Sequence, residues 1–208
     1  MIRSLLKRYP ELTTCADALE TARDLLLACY RQGGKLLVCG NGGSCADSDH
    51  IVGELMKGFL LRRPVPDAFR HSLQILAPDC AERLSDGLQG ALPAISLTAH
   101  SALLSALAND MQPDMVYAQQ VYGYGKPGDV FLGITTSGNS ANVVHAAVVA
   151  KALGMKVIAL VGECPCRLDE WADAAIHVPR RETYQVQELH LPVYHYLCAA
   201  CEAELFQK

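Results

Sequence analysis

The stretch Lys35-Leu36-Leu37-Val38-Cys39-Gly40-Asn41-Gly42-Gly43-Ser44 decides the fold class, because a short apolar run leads directly into a glycine-rich turn. A segment of helical character follows at about 45–60, so strand, turn and helix form one βα unit. The same order returns as an apolar run at 129–134, a turn at 135–140 and a helix at 141–153, before another apolar run at 156–161. Fully apolar strands alternating with helices predict a parallel sheet covered by helices on both faces.

Apolar side chains at helical spacing extend this pattern towards both ends of the chain. Residues 12–32 predict a packing helix that stops at Gly33-Gly34, and a closing helix is predicted at about 187–205. Two further short apolar runs, at 94–97 and 174–178, are strand candidates. A length of 208 residues matches the ~100–200 residues of one domain. We therefore expect a single α/β domain over residues 1–208.

One stretch does not follow the alternation of strands and helices. It extends from Pro64 to Pro93 and contains Pro64, Pro66 and Pro78 and a mixed polar and apolar segment. This stretch is too long for an ordinary connection of ~2–6 residues, and its central part is about residues 67–90. We predict an insertion there that contains a short helix. Either a lid over a pocket or an exposed loop without a role fits its composition.

Composition excludes several classes of protein. Half of the residues are apolar, 19% are charged and the net charge is -4, which argues against disorder and against a basic surface for nucleic acid or membranes. No apolar run approaches the ~20 residues of a membrane span. The nine cysteines are scattered and odd in number, and no apolar leader is present, so we expect reduced thiols and a cytoplasmic location. The pairs Cys164/Cys166 and Cys198/Cys201 are predicted to be ordinary small apolar residues rather than ligands.

The loop at 135–140 has the composition of a phosphate site. It offers four hydroxyl donors in six positions, and Gly138 allows close approach of a bound group. Since a helix N-terminus follows, neither Lys nor Arg is needed to accept a phosphate. The alternative is simple capping of the helix near Ala141 by Ser137, Asn139 or Ser140. Two glycine-rich loops at equivalent places favour a ligand, although neither has the dinucleotide fingerprint or the P-loop pattern.

Two groups of polar side chains could bind a metal or move protons. His50 and Glu54 are four residues apart on the helix after the first loop and so share one face. Gln187, Glu188, His190 and His195 fall among apolar residues at the last helix. The alternatives are a solvated helical pair and hydrogen-bonded core histidines. Gln187 and His195 would be ~12 Å apart along a continuous helix, so sharing one ion requires leaning side chains, a later helix start or a second subunit.

Together these motifs resemble the phosphoheptose isomerases, which are sedoheptulose 7-phosphate isomerases of the sugar isomerase (SIS) domain superfamily. The motifs that carry the resemblance are Gly40-Asn41-Gly42-Gly43-Ser44, His50-x3-Glu54, Ala108-Asn109-Asp110, Thr135-Thr136-Ser137-Gly138-Asn139-Ser140 and Gln187-Glu188-x-His190-x4-His195. The resemblance implies a flavodoxin-like three-layer α/β/α domain with N- and C-terminal packing helices. It also implies a homotetramer with sites at subunit interfaces and one metal ion, usually zinc, per subunit.

The resemblance also implies roles for individual residues. It makes Glu54 and His195 the acid and base that convert sedoheptulose 7-phosphate into glycero-manno-heptose 7-phosphate through an enediolate. The metal ligands that it implies are His50, Glu54, Gln187 and His195. The substrate-binding residues that it implies are Asn41, Gly42, Gly43, Ser44, Asn109, Asp110, Thr135, Thr136, Ser137, Ser140 and Gln187.

The sequence departs from the family pattern at two positions, and the superfamily offers a rival function. Thr135 stands where Ser is expected, and Tyr184 stands where the heptose enzymes tend to have an acidic residue. The rival is a non-catalytic SIS protein that binds a phosphosugar or associates with a replication initiator. Such initiator-binding relatives lack the Glu and His pair, so the presence of Glu54 and His195 favours catalysis.

Overall fold

The computed structural model describes residues 1–207, which form one α/β unit. Five strands alternate with nine α-helices, and three short 3-10 turns lie at Pro10–Cys15, Pro113–Met115 and Arg167–Glu170 within these described residues. In chain order the elements are α1 Ile2–Arg8, α2 Ala16–Arg31, β1 Leu36–Gly40, α3 Gly43–Met56, α4 Asp67–Leu76, α5 Pro78–Gly87, β2 Ala94–Ser96, α6 Ser101–Asp110, α7 Val116–Tyr124, β3 Val130–Thr135, α8 Ala141–Ala152, β4 Lys156–Val161, β5 Ala174–His177 and α9 Thr183–Phe206.

The sheet is parallel throughout, with the strand order β2-β1-β3-β4-β5. This is the flavodoxin-like order, in which the chain changes direction across the sheet between β1 and β3. Ligands of such sheets bind beyond the carboxyl ends of the strands at that switch point. The loops after β1 and β3 are the two glycine-rich loops, so the topology brings both to the expected binding edge.

Helices cover both faces of the sheet, as the fully apolar strands predict. Along β1, Leu36 and Val38 pack into one buried cluster with α2, α3 and α9. The alternate residues Leu37 and Cys39 pack into a second cluster with α7 and α8. Successive side chains of a strand point to opposite faces, so an apolar run without alternation needs cover on both sides. The predicted three-layer α/β/α architecture is confirmed.

The element boundaries differ from the sequence prediction mainly at short helices. The predicted helix at 12–32 begins as a 3-10 turn at Pro10–Cys15, with Pro10 at its first position. Helices α1, α6 and α7 have no counterpart in the prediction. The segment 67–90 forms two short helices, α4 and α5, rather than one, with Pro78 at the start of the second. Its role as an insertion or lid stays a prediction.

A buried ion pair fastens the segment between α3 and α4 to the last helix. The carboxylate of Glu202 accepts hydrogen bonds from the backbone N–H groups of Phe59 at 2.8 Å and Leu60 at 2.7 Å. It also accepts from Nε of Arg63 at 2.7 Å, and both side chains of this pair are almost completely buried. Because the paired charges have no access to water, each needs the other to stay buried.

Among residues 1–207, no helix has the length and apolar character that crossing a membrane requires.

Candidate active site

The two glycine-rich loops meet in one pocket of about 310 Å³ at the carboxyl ends of β1 and β3. Gly42 and Gly138 both adopt positive φ, at 57° and 66°, which favours glycine at these turns. The lining residues are Asn41, Gly42, Gly43, Ser44, Thr135, Thr136, Ser137, Ser140, Thr183 and Gln187. The structure therefore brings nine of the eleven predicted substrate-binding residues to one place.

The hydroxyl groups of this pocket are not used to cap helix α8. Ser140 occupies the N-cap position, but no side chain there accepts a bond from the first turn of the helix. Its Oγ instead lies 3.0 Å from Oγ1 of Thr135, and Ser137 Oγ accepts from the N–H of Asn139 at 3.2 Å. Helix α3 likewise starts without a side-chain cap. Both helix N-termini thus keep donors for an anion, which favours the ligand over the capping alternative.

We call the pocket between the two loops the phosphate-type pocket, and Gln187 belongs to it. It lies on α9, and a Cβ added to Gly43 would collide with its side-chain amide. The absence of a side chain at Gly43 therefore leaves room for the Gln187 amide beside the first loop. The side chain of Asn41 is held by Asn142 of α8, because their amides exchange two hydrogen bonds at 3.0 and 2.9 Å.

A second group of polar side chains lies on α3 and α9. Nε2 of His50 is 3.2 Å from Oε1 of Glu54, as expected for residues four apart on one helix. The rings of His50 and His195 pack edge to face with their centroids 5.1 Å apart. Nε2 of His195 is buried and has no hydrogen-bond partner within residues 1–207. We call His50, Glu54 and His195 the acid–base cluster.

A chain of hydrogen bonds behind His50 orients its ring and favours one tautomer. The hydroxyl of Tyr194 lies 3.2 Å from Oδ1 of Asp47, to which it donates, and 3.0 Å from Nδ1 of His50. Burial raises the pKa of Tyr194, so the phenol keeps its proton for Asp47. Nδ1–H of His50 then donates to the phenol oxygen, and the Nε2 lone pair points towards Glu54. Such a partner behind a histidine is the usual support of a metal ligand.

Burial lowers the pKa of His195, and the nearby His50 lowers it further against the opposing effect of Glu54. Phe59 contributes to this burial, because its ring centroid is 5.4 Å from that of His195. A neutral imidazole is therefore favoured at neutral pH. Such a group can accept a proton, whereas an imidazolium cannot.

The structure does not bring all predicted site residues together. Helix α9 already begins at Thr183, so a helix start after Gln187 is excluded, and Gln187 and His195 lie ~12 Å apart along one helix. Asn109 and Asp110 are exposed at the end of α6, where they bond to each other at 2.8 Å, and neither lines the pocket in the described chain. Among residues 1–207, the one trio of His, Cys, Asp and Glu ligand atoms within 4.8 Å of one another is Cys166, Asp169 and His177, which lies elsewhere.

Four residues around these sites are absent from the sequence prediction. Asp47 and Tyr194 support His50, Phe59 covers His195 and Thr183 lines the pocket. Asp47 carries a signal, since it stands three residues before His50 on the same helix and hence on the same face. The other three become recognisable only when α9 is placed against α3.

Comparisons with known proteins agree with this geometry. The model of the SIS domain family matches residues 2–86 and 88–162. The phosphoheptose isomerase of Synechocystis sp. is 35% identical over 205 residues, which are 99% of this chain and 91% of that protein. The phosphoheptose isomerase of Thiobacillus denitrificans is 39% identical over 193 residues, covering 91% of this chain and 85% of that protein.

Solved structures show the same relationship. The phosphoheptose isomerase from Francisella tularensis superposes with a TM-score of 0.77 at 29% identity, over 100% of this chain and 95% of that one. The enzyme of the same name from Neisseria gonorrhoeae gives a TM-score of 0.75 at 29% identity, over 97% and 95% of the two chains. With its flavodoxin-like sheet and paired glycine-rich loops, the chain belongs to the SIS domain family and, within it, to the phosphoheptose isomerases.

Proposed function

We propose that this protein is a sugar-phosphate isomerase that converts sedoheptulose 7-phosphate into a glycero-manno-heptose 7-phosphate. The observation that carries the proposal is the acid–base cluster, which is complete in this chain and clustered in space. A phosphosugar-binding protein without catalysis needs the hydroxyl-lined pocket but has no use for Glu54 and His195. The non-catalytic alternative is therefore not favoured.

The phosphate of the substrate is held in the pocket between β1 and β3. Hydroxyls of Thr136, Ser137 and Ser140 and the free N–H groups of two helix N-termini supply neutral donors there. Such donors, together with the helix dipoles, bind an anion without a Lys or Arg side chain. The amides of Asn41 and Gln187 line the same pocket and are suited to bind hydroxyls of the sugar.

The isomerisation moves one proton between neighbouring carbons and one between neighbouring oxygens. Glu54 takes the proton from C1 of the ketose, which leaves the enediolate charge on the oxygen of C2. The neutral His195 accepts the proton of the oxygen on C1 and passes it to the oxygen on C2, and Glu54 returns its proton to C2, so that C1 becomes the aldehyde. Both groups end in their starting protonation state, as a catalyst requires. Phe59 packs beside His195 and shields part of this imidazole from solvent.

The acid–base cluster also fits the zinc ion that the family resemblance implies. Two imidazoles and one carboxylate are a common zinc donor set, and the buried Nε2 of His195 has no hydrogen-bond partner within residues 1–207. His50, Glu54 and His195 would hold the ion, with the fourth place taken by Gln187 of the partner subunit. Bound there, a divalent cation supplies a positive charge that stabilises the enediolate oxygens.

The separation of the pocket from the cluster supports sites shared between subunits. Gln187 lines the phosphate-type pocket, whereas His195 lies two helical turns away beside an apolar groove that contains Leu5, Phe59, Leu60 and Leu191. A partner that covers this groove brings its own pocket towards the cluster. We therefore propose a homotetramer with interfacial sites. Nine unpaired cysteines suit a reducing compartment, and so we place the reaction in the cytoplasm.

The test is turnover by the zinc-loaded protein on a panel of ketose phosphates, with aldose formation as the readout. Glu54→Gln keeps the shape of the side chain and should lower kcat by ~10²–10⁴-fold, the usual worth of a positioned acid or base. The matched control is Glu188→Gln, which changes an exposed carboxylate on α9 and should leave kcat unchanged. Absence of turnover on every ketose phosphate by folded, metal-loaded protein would contradict the function. Equal kcat for wild type and Glu54→Gln would contradict the mechanism alone.

A further inference from the structure

A second group of ligand-type side chains lies behind the loop at 135–140, which we call the phosphate loop. Sγ of Cys166 is 3.3 Å from Oδ1 of Asp169, and Nε2 of His177 is 2.9 Å from the same oxygen. The three ligand atoms all lie within 4.8 Å of one another. Cys166 is the N-cap residue of the 3-10 turn at Arg167–Glu170, Asp169 lies within that turn, and His177 ends β5. None of the three lines the pocket or belongs to the acid–base cluster.

The orientation of His177 leaves a place for a cation. Nδ1 is 2.8 Å from the carbonyl oxygen of Gly162, which can only accept, so Nδ1 carries the hydrogen. Nε2 is the nitrogen that faces Oδ1 of Asp169 at 2.9 Å, and a cation that replaces the proton between these two atoms would be bound by both. A backbone carbonyl behind one nitrogen is also the usual device that presents the other nitrogen to a metal.

The carboxylate of Asp169 is fixed in the same way. Its Oδ2 accepts the backbone N–H of Cys166 at 2.8 Å, which leaves Oδ1 directed at both the thiol and the imidazole. Capping of the 3-10 turn explains the contacts between Cys166 and Asp169. The hydrogen bond from His177, which belongs to a different element, brings a third ligand-type atom to the same oxygen.

We propose that Cys166, Asp169 and His177 form a second divalent-cation site of the zinc type, separate from the acid–base cluster. Thiolate, carboxylate and imidazole are all zinc ligands, and tetrahedral bonds of ~2.0 Å place N and O about 3.3 Å apart, close to the spacing present. The side chains of Asp169 and His177 are 30% and 28% exposed, so an ion can enter and water can take the fourth position. Binding exchanges the thiol proton of Cys166 for the metal and releases that proton to solvent.

An ion at this place would brace the phosphate loop from behind. The side chain of Cys166 fills the space over Gly138, where an added Cβ would collide with it. The N–H of Leu168 donates to the carbonyl of Gly138 at 3.2 Å, and the N–H of Arg167 donates to Oδ1 of Asn139 at 3.0 Å. Ordering the turn by a metal therefore also orders residues 136–140.

Cobalt(II) titration of the metal-free full chain tests the site, because thiolate-bound cobalt has a near-ultraviolet charge-transfer band. The acid–base cluster contains no sulfur and cannot give this band. We expect a stoichiometric band in wild type and in Cys80→Ser, which changes an exposed cysteine on α5. We expect its loss in Cys166→Ser and a strong reduction in His177→Gln, with circular dichroism showing that both variants fold.

Two results would overturn the site: no band in wild type, or a band that survives both Cys166→Ser and His177→Gln. Cys166, Asp169 and His177 would then form only a hydrogen-bonded cap of the 3-10 turn. Hydrogen exchange separately tests whether the ion orders the phosphate loop, since cobalt should slow exchange of the amides at 136–140 in wild type and not in Cys166→Ser. Unchanged amide exchange together with a normal cobalt band would contradict the ordering of residues 136–140 by the ion, but it would not contradict the metal site. Neither readout depends on isomerase activity.

Discussion

Gly43 is the residue at which the first turn of α3 and the last helix of the chain come closest. A Cβ at this position would collide with the side-chain amide of Gln187, while the φ angle of Gly43 itself needs no glycine. The glycine is therefore required by close approach and not by backbone conformation. A side chain there would displace the flexible amide of Gln187 from its place in the pocket.

Gly43→Ala should for this reason raise KM for the sugar phosphate by about tenfold or more, since a factor of ten corresponds to only ~1.4 kcal/mol of lost binding. Gly53→Ala is the matched control, because Gly53 lies in the same helix and a Cβ there meets nothing within 4 Å. That variant should keep KM and gain stability of up to ~1 kcal/mol from helix propensity. Steady-state kinetics of the two variants decide the matter, and an equal KM in both would refute the close-approach argument.

The elements of the fold and the phosphate-type pocket could be predicted from local patterns. Apolar runs that end in glycine-rich loops define β1 and β3, and parallel strands bring the ends of such runs to one edge of a sheet. The hydroxyl loop needs no information beyond its own six residues. Everything that depends on how α9 packs against α3 could not be read from spacing in the sequence. Tyr194 and Asp47, for example, are 147 positions apart and are joined by one hydrogen bond.

Helix α9 holds the segment after α3 through the Arg63–Glu202 pair, another contact between residues distant in sequence. Burial opposes the ionisation of Glu202, but the backbone N–H groups of Phe59 and Leu60 and the guanidinium of Arg63 outweigh it and lower its pKa. Arg63 also donates to the backbone carbonyls of Leu55 at 2.7 Å and Glu54 at 3.2 Å. The pair thus anchors the end of α3 that carries Glu54.

Arg63→Met should lower the free energy of unfolding by about 3–5 kcal/mol, because it leaves the Glu202 carboxylate buried without its countercharge. Arg181→Met is the control, since Arg181 pairs with Glu163 at 2.7 Å on the surface, where water screens the pair, and it should leave stability nearly unchanged. Urea unfolding at one protein concentration measures both. Equal losses in the two variants would show that burial of the pair contributes nothing.

The stability of the whole molecule should depend on pH through His190. This side chain is fully buried, neither ring nitrogen has a hydrogen-bond partner within residues 1–207, and burial lowers its pKa to about 4. When the pH lies between the ordinary histidine pKa of ~6.5 and the lowered value of about 4, His190 binds a proton in the unfolded chain and not in the folded chain. Stability attributable to His190 is therefore complete above about pH 6.5 and is lost as the pH falls towards about 4.

From pH 7 to pH 5 this loss amounts to about 2 kcal/mol, at 1.36 kcal/mol per pKa unit. His190→Leu removes the titrating group and keeps an apolar side chain in the core, so its free energy of unfolding should fall by about 2 kcal/mol less over the same interval. Urea unfolding of wild type and variant at both pH values provides the comparison. A parallel fall in the two proteins would mean that His190 does not control acid stability.

The proposed assembly makes a prediction that a self-contained site does not share. If the phosphate-type pocket of one subunit works with the acid–base cluster of its partner, two kinds of inactive subunit can complete each other's sites. Glu54→Gln impairs only the acid–base cluster, and Gly43→Ala combined with Ser140→Ala impairs only the phosphate-type pocket. Tetramers formed from a refolded mixture contain some interfaces with an intact pocket and an intact cluster. We expect such mixtures to recover activity that neither variant has alone, and to lose it on dilution as the assembly dissociates. Mixtures that stay as inactive as their components would instead place the complete site within one chain.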